Sequence, residues 1–487
     1  MPEEFVLEKE TFEGKNALKL QIAIALAASM AFMISGGVRS WSSPCIPRLL
    51  ELGSIKNSDV PYVGGLPPVG ALLGALVSAP LMQFLGRRKT LLIVVVPWSA
   101  AFALLGFAPS TGAVYFARLC TGFMVGVATP AAQIYVAECV NPKIRGILGS
   151  LTATLLACGI LITFILGSVL ECDVLSWILA SGALLLGVGM YFAPESPSWL
   201  ILHGRENEAR ASLKLLKNLQ DPSNPCITEH INKVKEILTD RDTNSNQTNY
   251  TEYLKESVKF QNLRPFFLSL TIMFFEEFCG ISTIIFHSGT IFKNSGSNID
   301  RHLSSIVVGL VQLVFTCIAM LIVDKTGRRK LLLLSSSIML ISLVPISVYF
   351  QLKNVGYESI GNIHWIPLVS LIFFMVGFSL GYNTLPYLIM SEILPSKFRN
   401  LFSAIIASFN LFCLFLTVFF YPIMVDLVGE HGVFWLYTMC CFISIIFVYF
   451  FLPETKGKSL EEIEMMFRPM KKVEVQENKA FECDAVM

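Results

Sequence analysis

Apolar runs of membrane-crossing length alternate with short polar breaks along almost the whole chain, and they can be bracketed at 17–38, 62–85, 91–108, 113–137, 147–170, 175–193, 265–292, 302–323, 331–350, 364–391, 402–425 and 433–452. A hydrocarbon layer ~30 Å thick takes roughly 20 helical residues to cross, so each run is read as one span. The pattern predicts an all-α membrane protein of twelve transmembrane helices in two sets of six. One longer polar stretch separates the sets, so the expected division is an N-terminal half over 1–193, a central loop over 194–263, a C-terminal half over 264–452 and a tail over 453–487. Within the central loop, 206–219 and 227–240 are charged and amphipathic and read as short helices.

Composition agrees with that picture: 54% of the 487 residues are hydrophobic and 15% charged. The formal net charge of +1 gives no case for a nucleic-acid partner. Lys and Arg gather at Lys9/Lys15/Lys19, Arg87/Arg88/Lys89, Lys143/Arg145, 205–264, Lys325/Arg328/Arg329/Lys330, Lys397/Arg399 and 456–479, while the intervening loops hold scattered ones. By the positive-inside rule, both termini and the central loop are expected in the cytoplasm. The acidic N-terminus lacks the pattern of a cleaved signal, so the first span is expected to direct its own insertion. The sequons at Asn246 and Asn249 fall in the loop assigned to the cytoplasm and read as accidental. Most of the twelve cysteines sit within spans, where cysteine is ordinarily a small buried hydrophobe; Cys45 and Cys172 lie near the outer side and could pair.

Three segments recur in order, about half a chain apart. LGRRKTLL (85–92) returns as TGRRKLLL (326–333), AECVNPKIRG (137–146) as SEILPSKFRN (391–400), and PESPSWL (194–200) as PETKGKSL (453–460). A six-span unit has been duplicated. The glycine of each Gly-Arg-Arg permits a tight turn, and the guanidinium groups suit helix-end carbonyls and carboxylates. Arg87, Arg88, Glu138, Arg145 and Glu195, with Asp324, Arg328, Arg329, Glu392, Arg399 and Glu454 in the second half, are therefore expected to form a cytoplasmic charge network that gates the inner side. Small residues at helical spacing, Gly70/Gly74/Ser78 in the second span and Gly122/Gly126 in the fourth, permit close backbone approach between spans.

At these motifs, and at RLCTG (118–122), GFSLGYNTLPY (377–387) and GVFWLY (432–437), the chain resembles the sugar porter family of the major facilitator superfamily from Leu18 to Glu464, and within it the insect facilitated trehalose transporter group most. The resemblance implies the major facilitator fold and rocker-switch alternating access about a sugar site at the bilayer midplane. It also implies substrate-binding positions at Glu276, Glu277, Ser282, Gln312, Asn383, Thr384, Tyr387 and Asn410. Several depart from the family pattern. A glutamine pair is replaced by Glu276 and Glu277, a fifth-span amide by Ala157, a tenth-span tryptophan by Tyr387, an eleventh-span tryptophan by Leu411 and the first acidic residue of the Gly-Arg-Arg motif by Gln83. In proton-coupled members an aspartate faces the fourth-span arginine; Val38 stands at that position, so Arg118 lacks the usual partner.

An ionised carboxylate at mid-membrane costs at least ~2.5 kcal/mol unless solvated or paired. Three accounts of the glutamates follow. A protonated carboxyl could donate and accept as the family's amide does; an ionised one could pair with an intramembrane cation, Arg39 or Arg118; or one could carry protons, with His287 nearby. The expectation is a facilitative carrier of trehalose or a hexose in the plasma membrane, with the bilayer and a small sugar as its partners and no obligate protein partner. Uniport needs no cofactor. The alternatives are a proton-coupled symporter using Glu276/Glu277 and a non-transporting sugar sensor. With no metal-spaced His/Cys cluster and no nucleophile triad, an enzyme is not expected.

Overall fold

The computed structural model describes residues 15–107, 110–217, 227–229, 231–232, 256–295, 300–357, 363–395, 397–458 and 460–467. The acidic N-terminus, both sequons, most of 227–240 and the tail beyond Phe467 lie outside them. The first half comprises α1 (Lys15–Ser40), α2 (Ser42–Glu51), α3 (Val60–Leu85), α4 (Arg87–Phe107), α5 (Thr111–Cys139), α6 (Pro142–Val169) and α7 (Cys172–Phe192). Two short helices follow, α8 (Pro197–Leu202) and α9 (Glu206–Lys217). The second half holds α10 (Phe260–Phe278), α11 (Ile281–Ser295), α12 (Arg301–Thr326), α13 (Arg328–Val355), α14 (Ile366–Leu380), α15 (Leu385–Ile393), α16 (Arg399–Phe451) and α17 (Leu460–Phe467).

In two places where the apolar pattern reads one span, the chain has two helices. The seventh span is α10 with α11 and the tenth α14 with α15, whereas the first, 17–38, lies within α1 and α2 follows it. The eleventh and twelfth spans, 402–425 and 433–452, are the two helices of α16, which break at Gly429 where the backbone leaves helical geometry (φ 72°). Two large apolar cores form, one in the first half around Trp41, Trp98 and Phe102, the other in the second around Phe374, Phe434 and Leu332, which Ile160 and Phe164 of α6 join.

Packing inside the first half depends on glycine, as the spacing predicts. A Cβ on Gly70 would stand 2.2 Å from the Leu119 carbonyl, and one on Gly122 2.0 Å from that of Pro67. The backbones of α3 and α5 therefore touch, with Ser78 donating to the Val127 carbonyl at 3.1 Å.

The two Gly-Arg-Arg turns build matching clamps. Gly86 (φ 94°) and Gly327 (φ 98°) turn the chain so that the next backbone N–H, of Arg87 or Arg328, donates at 2.9 Å to Glu195 or Glu454. The Arg87 guanidinium meets Glu138 at 2.9 Å and that of Arg328 meets Glu392 at 3.1 Å. The second oxygen of each of those glutamates accepts from a hydroxyl, Ser196 in one half and Thr455 at 2.6 Å in the other. Arg88 donates to the Met190 and Tyr191 carbonyls, Arg329 to that of Tyr449, and Arg399 to that of Leu394 at 3.3 Å. The side chains of Arg145 and Asp324 are outside the described residues. Ser196 and Thr455 escaped the reading of charges alone, although both stand beside the repeated Pro-Glu.

The halves meet along two lateral seams, α3 against α16 and α6 against α12, and at the end away from the clamps, where α2 meets α11. There the buried hydroxyls of Ser43 and Ser288 lie 2.6 Å apart and the Gly289 N–H donates to Ser43 at 3.0 Å. Lys293 reaches Glu51 at 3.3 Å, and Tyr62 sets its ring edge-on to Phe419. The two halves are thus in contact across the cleft at that end.

Candidate functional site

Two helix breaks interrupt the second half. α10 stops just after the glutamate pair: Cys279 caps it, Gly280 takes φ 96°, and α11 starts at Ile281. Its first turn supplies Ser282, whose hydroxyl donates to Glu277 at 2.6 Å. The positive end of the α11 dipole lies beside that carboxylate, a local reason for an acidic residue there. The other break, 381–384, separates α14 from α15. It holds Asn383 and Thr384, and Tyr387 follows in the first turn of α15.

A hydrogen-bonded chain connects the breaks. Tyr387 donates to the Asn410 side-chain carbonyl at 3.2 Å, and the Asn410 amide donates to Glu276 at 3.2 Å. Glu276 is 8% exposed and Glu277 3%. Gln312 is buried with its side-chain oxygen unpartnered, and the Thr384 hydroxyl is likewise unpartnered. Asn383 is turned aside, donating to Thr316 at 3.0 Å. So Glu276, Tyr387 and Asn410 form one chain and Glu277 and Ser282 a bonded pair; among the described residues no bond joins Asn383 to either set.

The two intramembrane arginines differ sharply. Arg118, 0% exposed, is fully engaged within the first half: it donates to the carbonyls of Val63 (3.1 Å) and Val38 (3.0 Å) and to the Ser42 hydroxyl (2.7 Å), and it lies 5.0 Å from the centre of the Trp41 ring. This removes it as a partner for the glutamates. Backbone carbonyls, which leave no mark on residue identity, do the work of the missing aspartate. Arg39, at the end of α1, acts electrostatically on Glu276, Glu277 and Tyr387 without a direct ion pair to either carboxylate. It is the first half's charge in the cleft. His287 sits beyond the helix break, with Nε2 3.4 Å from the Val418 carbonyl and its ring against Tyr421. It belongs to the closed end of the cleft.

Residues 26–467 match the family described as "Sugar (and other) transporter". The chain is 33% identical over 448 residues to the facilitated trehalose transporter Tret1 of Culex quinquefasciatus, covering 91% of this chain and 85% of that one. It is 34% identical to Tret1 of Drosophila pseudoobscura pseudoobscura over 91% of its own length but 51% of that protein's, so the chain spans about half the length of such relatives. Among solved structures, the inward open conformation of the xylose transporter XylE from E. coli superposes with a TM-score of 0.75 at 20% identity over 92% of this chain and 100% of that one. The proton:xylose symporter XylE bound to 6-bromo-6-deoxy-D-glucose gives 0.73 at 21% over 93% and 100%. That likeness establishes the fold. With the major facilitator fold matched over more than nine-tenths of its length and residues 26–467 matched to the family model, the chain belongs to the sugar transporter family.

Proposed function

We propose that the chain moves a sugar, trehalose or a hexose, across the plasma membrane by alternating access, driven by the gradient of that sugar alone. The observation that carries this reading is the buried Tyr387–Asn410–Glu276 chain, supported by the unpartnered Gln312 oxygen and Thr384 hydroxyl at two further expected sugar positions. A sugar offers many hydroxyls and no charge, so its site needs groups that both donate and accept. Glu276 and Glu277 fit that need if one proton resides on the pair. Two adjacent buried carboxylates with one proton carry a single negative charge, and Arg39 balances it. The site is then neutral overall.

With both termini cytoplasmic, the end closed by Ser43 and Ser288 is the outer one. In this reading the halves, 1–193 and 264–452, move as bodies joined by 194–263, and the Gly-Arg-Arg clamps keep each body intact as the cleft opens and closes. The test is uptake of labelled trehalose and glucose at neutral and acidic external pH in cells with verified surface expression. Saturable, pH-insensitive uptake of either supports uniport. A second reading, proton symport, draws on the glutamate pair itself; sugar-evoked inward current that grows at acidic external pH would favour it. Absence of uptake of both sugars sinks the proposed substrate class.

A further inference from the structure

We infer that Cys45 and Cys172 are a modification site, joined as a disulfide that staples α2 to the start of α7. The helices α2 and α7 run past each other in antiparallel register, and two bonds bracket the cysteines. One turn before Cys45, the Trp41 indole donates to the Ser176 hydroxyl at 2.9 Å; Ser176 lies one turn after Cys172. On the other side, Arg48 meets Glu171 at 2.7 Å. Residues four apart share a helix face, so this register sets the two thiols opposite each other. In the structure both thiols are free and unbridged. The other described cysteines have no such bracketing.

The chemistry needs an oxidant, and a low-molecular-weight disulfide of the secretory route supplies it. Cys45 is buried and Cys172 half-buried, so attack begins at Cys172. Its thiolate displaces one thiolate from the small disulfide, forming a mixed disulfide. The Cys45 thiolate then attacks the Cys172 sulfur and releases the second. Two protein thiols become one S–S bond, the small disulfide becomes two thiols, and the two protons leave with them. The bond would close a long loop running from the second span through the fifth, which restricts the unfolded chain. Both cysteines belong to the first half, so the staple crosses neither lateral seam. What it steadies is α2, the segment that carries Ser43 to Ser288 and Gly289.

The inference rests on the proposed orientation, because only the outer side is oxidising. The experiment takes full-length protein from the surface of expressing cells. Free thiols are blocked under denaturing conditions with one maleimide, disulfides are reduced, and the released thiols are marked with a second before peptide mapping. Expected is the second label on Cys45 and Cys172, plus a cross-linked peptide in the unreduced digest that is two hydrogens lighter than the separate peptides combined. The first label on both cysteines overturns the inference, as does a mixed disulfide on Cys172 alone. As an independent arm, Cys45→Ser should leave Cys172 in the first-label class; if that variant fails to reach the surface, Cys172→Ser reports on Cys45 in the same way. An N-terminal epitope stained only after permeabilisation checks the orientation by itself. Free thiols with the orientation upheld defeat the staple alone, whereas an exposed epitope defeats the orientation and the staple with it.

Discussion

Asn410 donates to Glu276 and accepts from Tyr387, and a glutamine carbonyl could take the place of that carboxylate oxygen without disturbing either bond. Replacing Glu276 and Glu277 together by glutamine should therefore keep sugar uptake within about threefold of the parent, about 0.6 kcal/mol at the barrier. Loss of all uptake at normal surface level would defeat the amide-like role. Arg39 gives the complementary expectation. Arg39→Gln leaves the acidic pair without its counter-charge, so uptake should fall by about tenfold or more, as ~1.4 kcal/mol of lost compensation implies. In the glutamine pair background the same change should cost little, and uptake across the four combinations measures that coupling. That Glu276, Asn410 and Tyr387 come together was legible in the sequence, because the motifs carry the register into the seventh and tenth spans. What could not be read was which arginine serves which group. Arg118 satisfies its donors on the Val38 and Val63 carbonyls and Ser42, and no residue pattern announces a carbonyl partner.

The helix breaks are the elements on which the site depends. Gly280 combines φ 96° with a Cβ position 2.5 Å from the Tyr437 ring. Gly280→Ala must both adopt a left-handed backbone, at ~1–2 kcal/mol, and displace a buried aromatic side chain. The variant should lose folded protein at a lower temperature in a detergent melting assay; an unchanged melting curve would mean that the break tolerates another geometry. Apolar periodicity counts crossings well because burial in lipid demands length. It is blind to interruptions such as 381–384, where the residues on both sides stay apolar. It does separate the eleventh and twelfth spans, and the backbone breaks between them at Gly429. The cleft-lining half-helices were thus the part of the architecture that only coordinates could supply.

At the scale of the molecule, closure at the Ser43 end requires α2 and α11 to approach backbone to backbone. A Cβ on Gly289 would lie 2.4 Å from the Ser43 carbonyl. Gly289→Leu should hold that end apart, abolish net uptake at normal surface expression, and raise the rate at which an impermeant thiol reagent labels a cysteine placed at Thr384. Unchanged uptake would mean that contact at this point is dispensable. The duplicated clamps point further. Because Glu138 and Glu392 are each satisfied inside their own half, by Arg87 with Ser196 and by Arg328 with Thr455, the bodies that move in the proposed mechanism are held together separately from the proposed site. Such a division lets inheritance tinker with the chamber while leaving the chassis alone: a glutamine pair can become an acidic pair, with an arginine across from it, and neither clamp has to be redrawn.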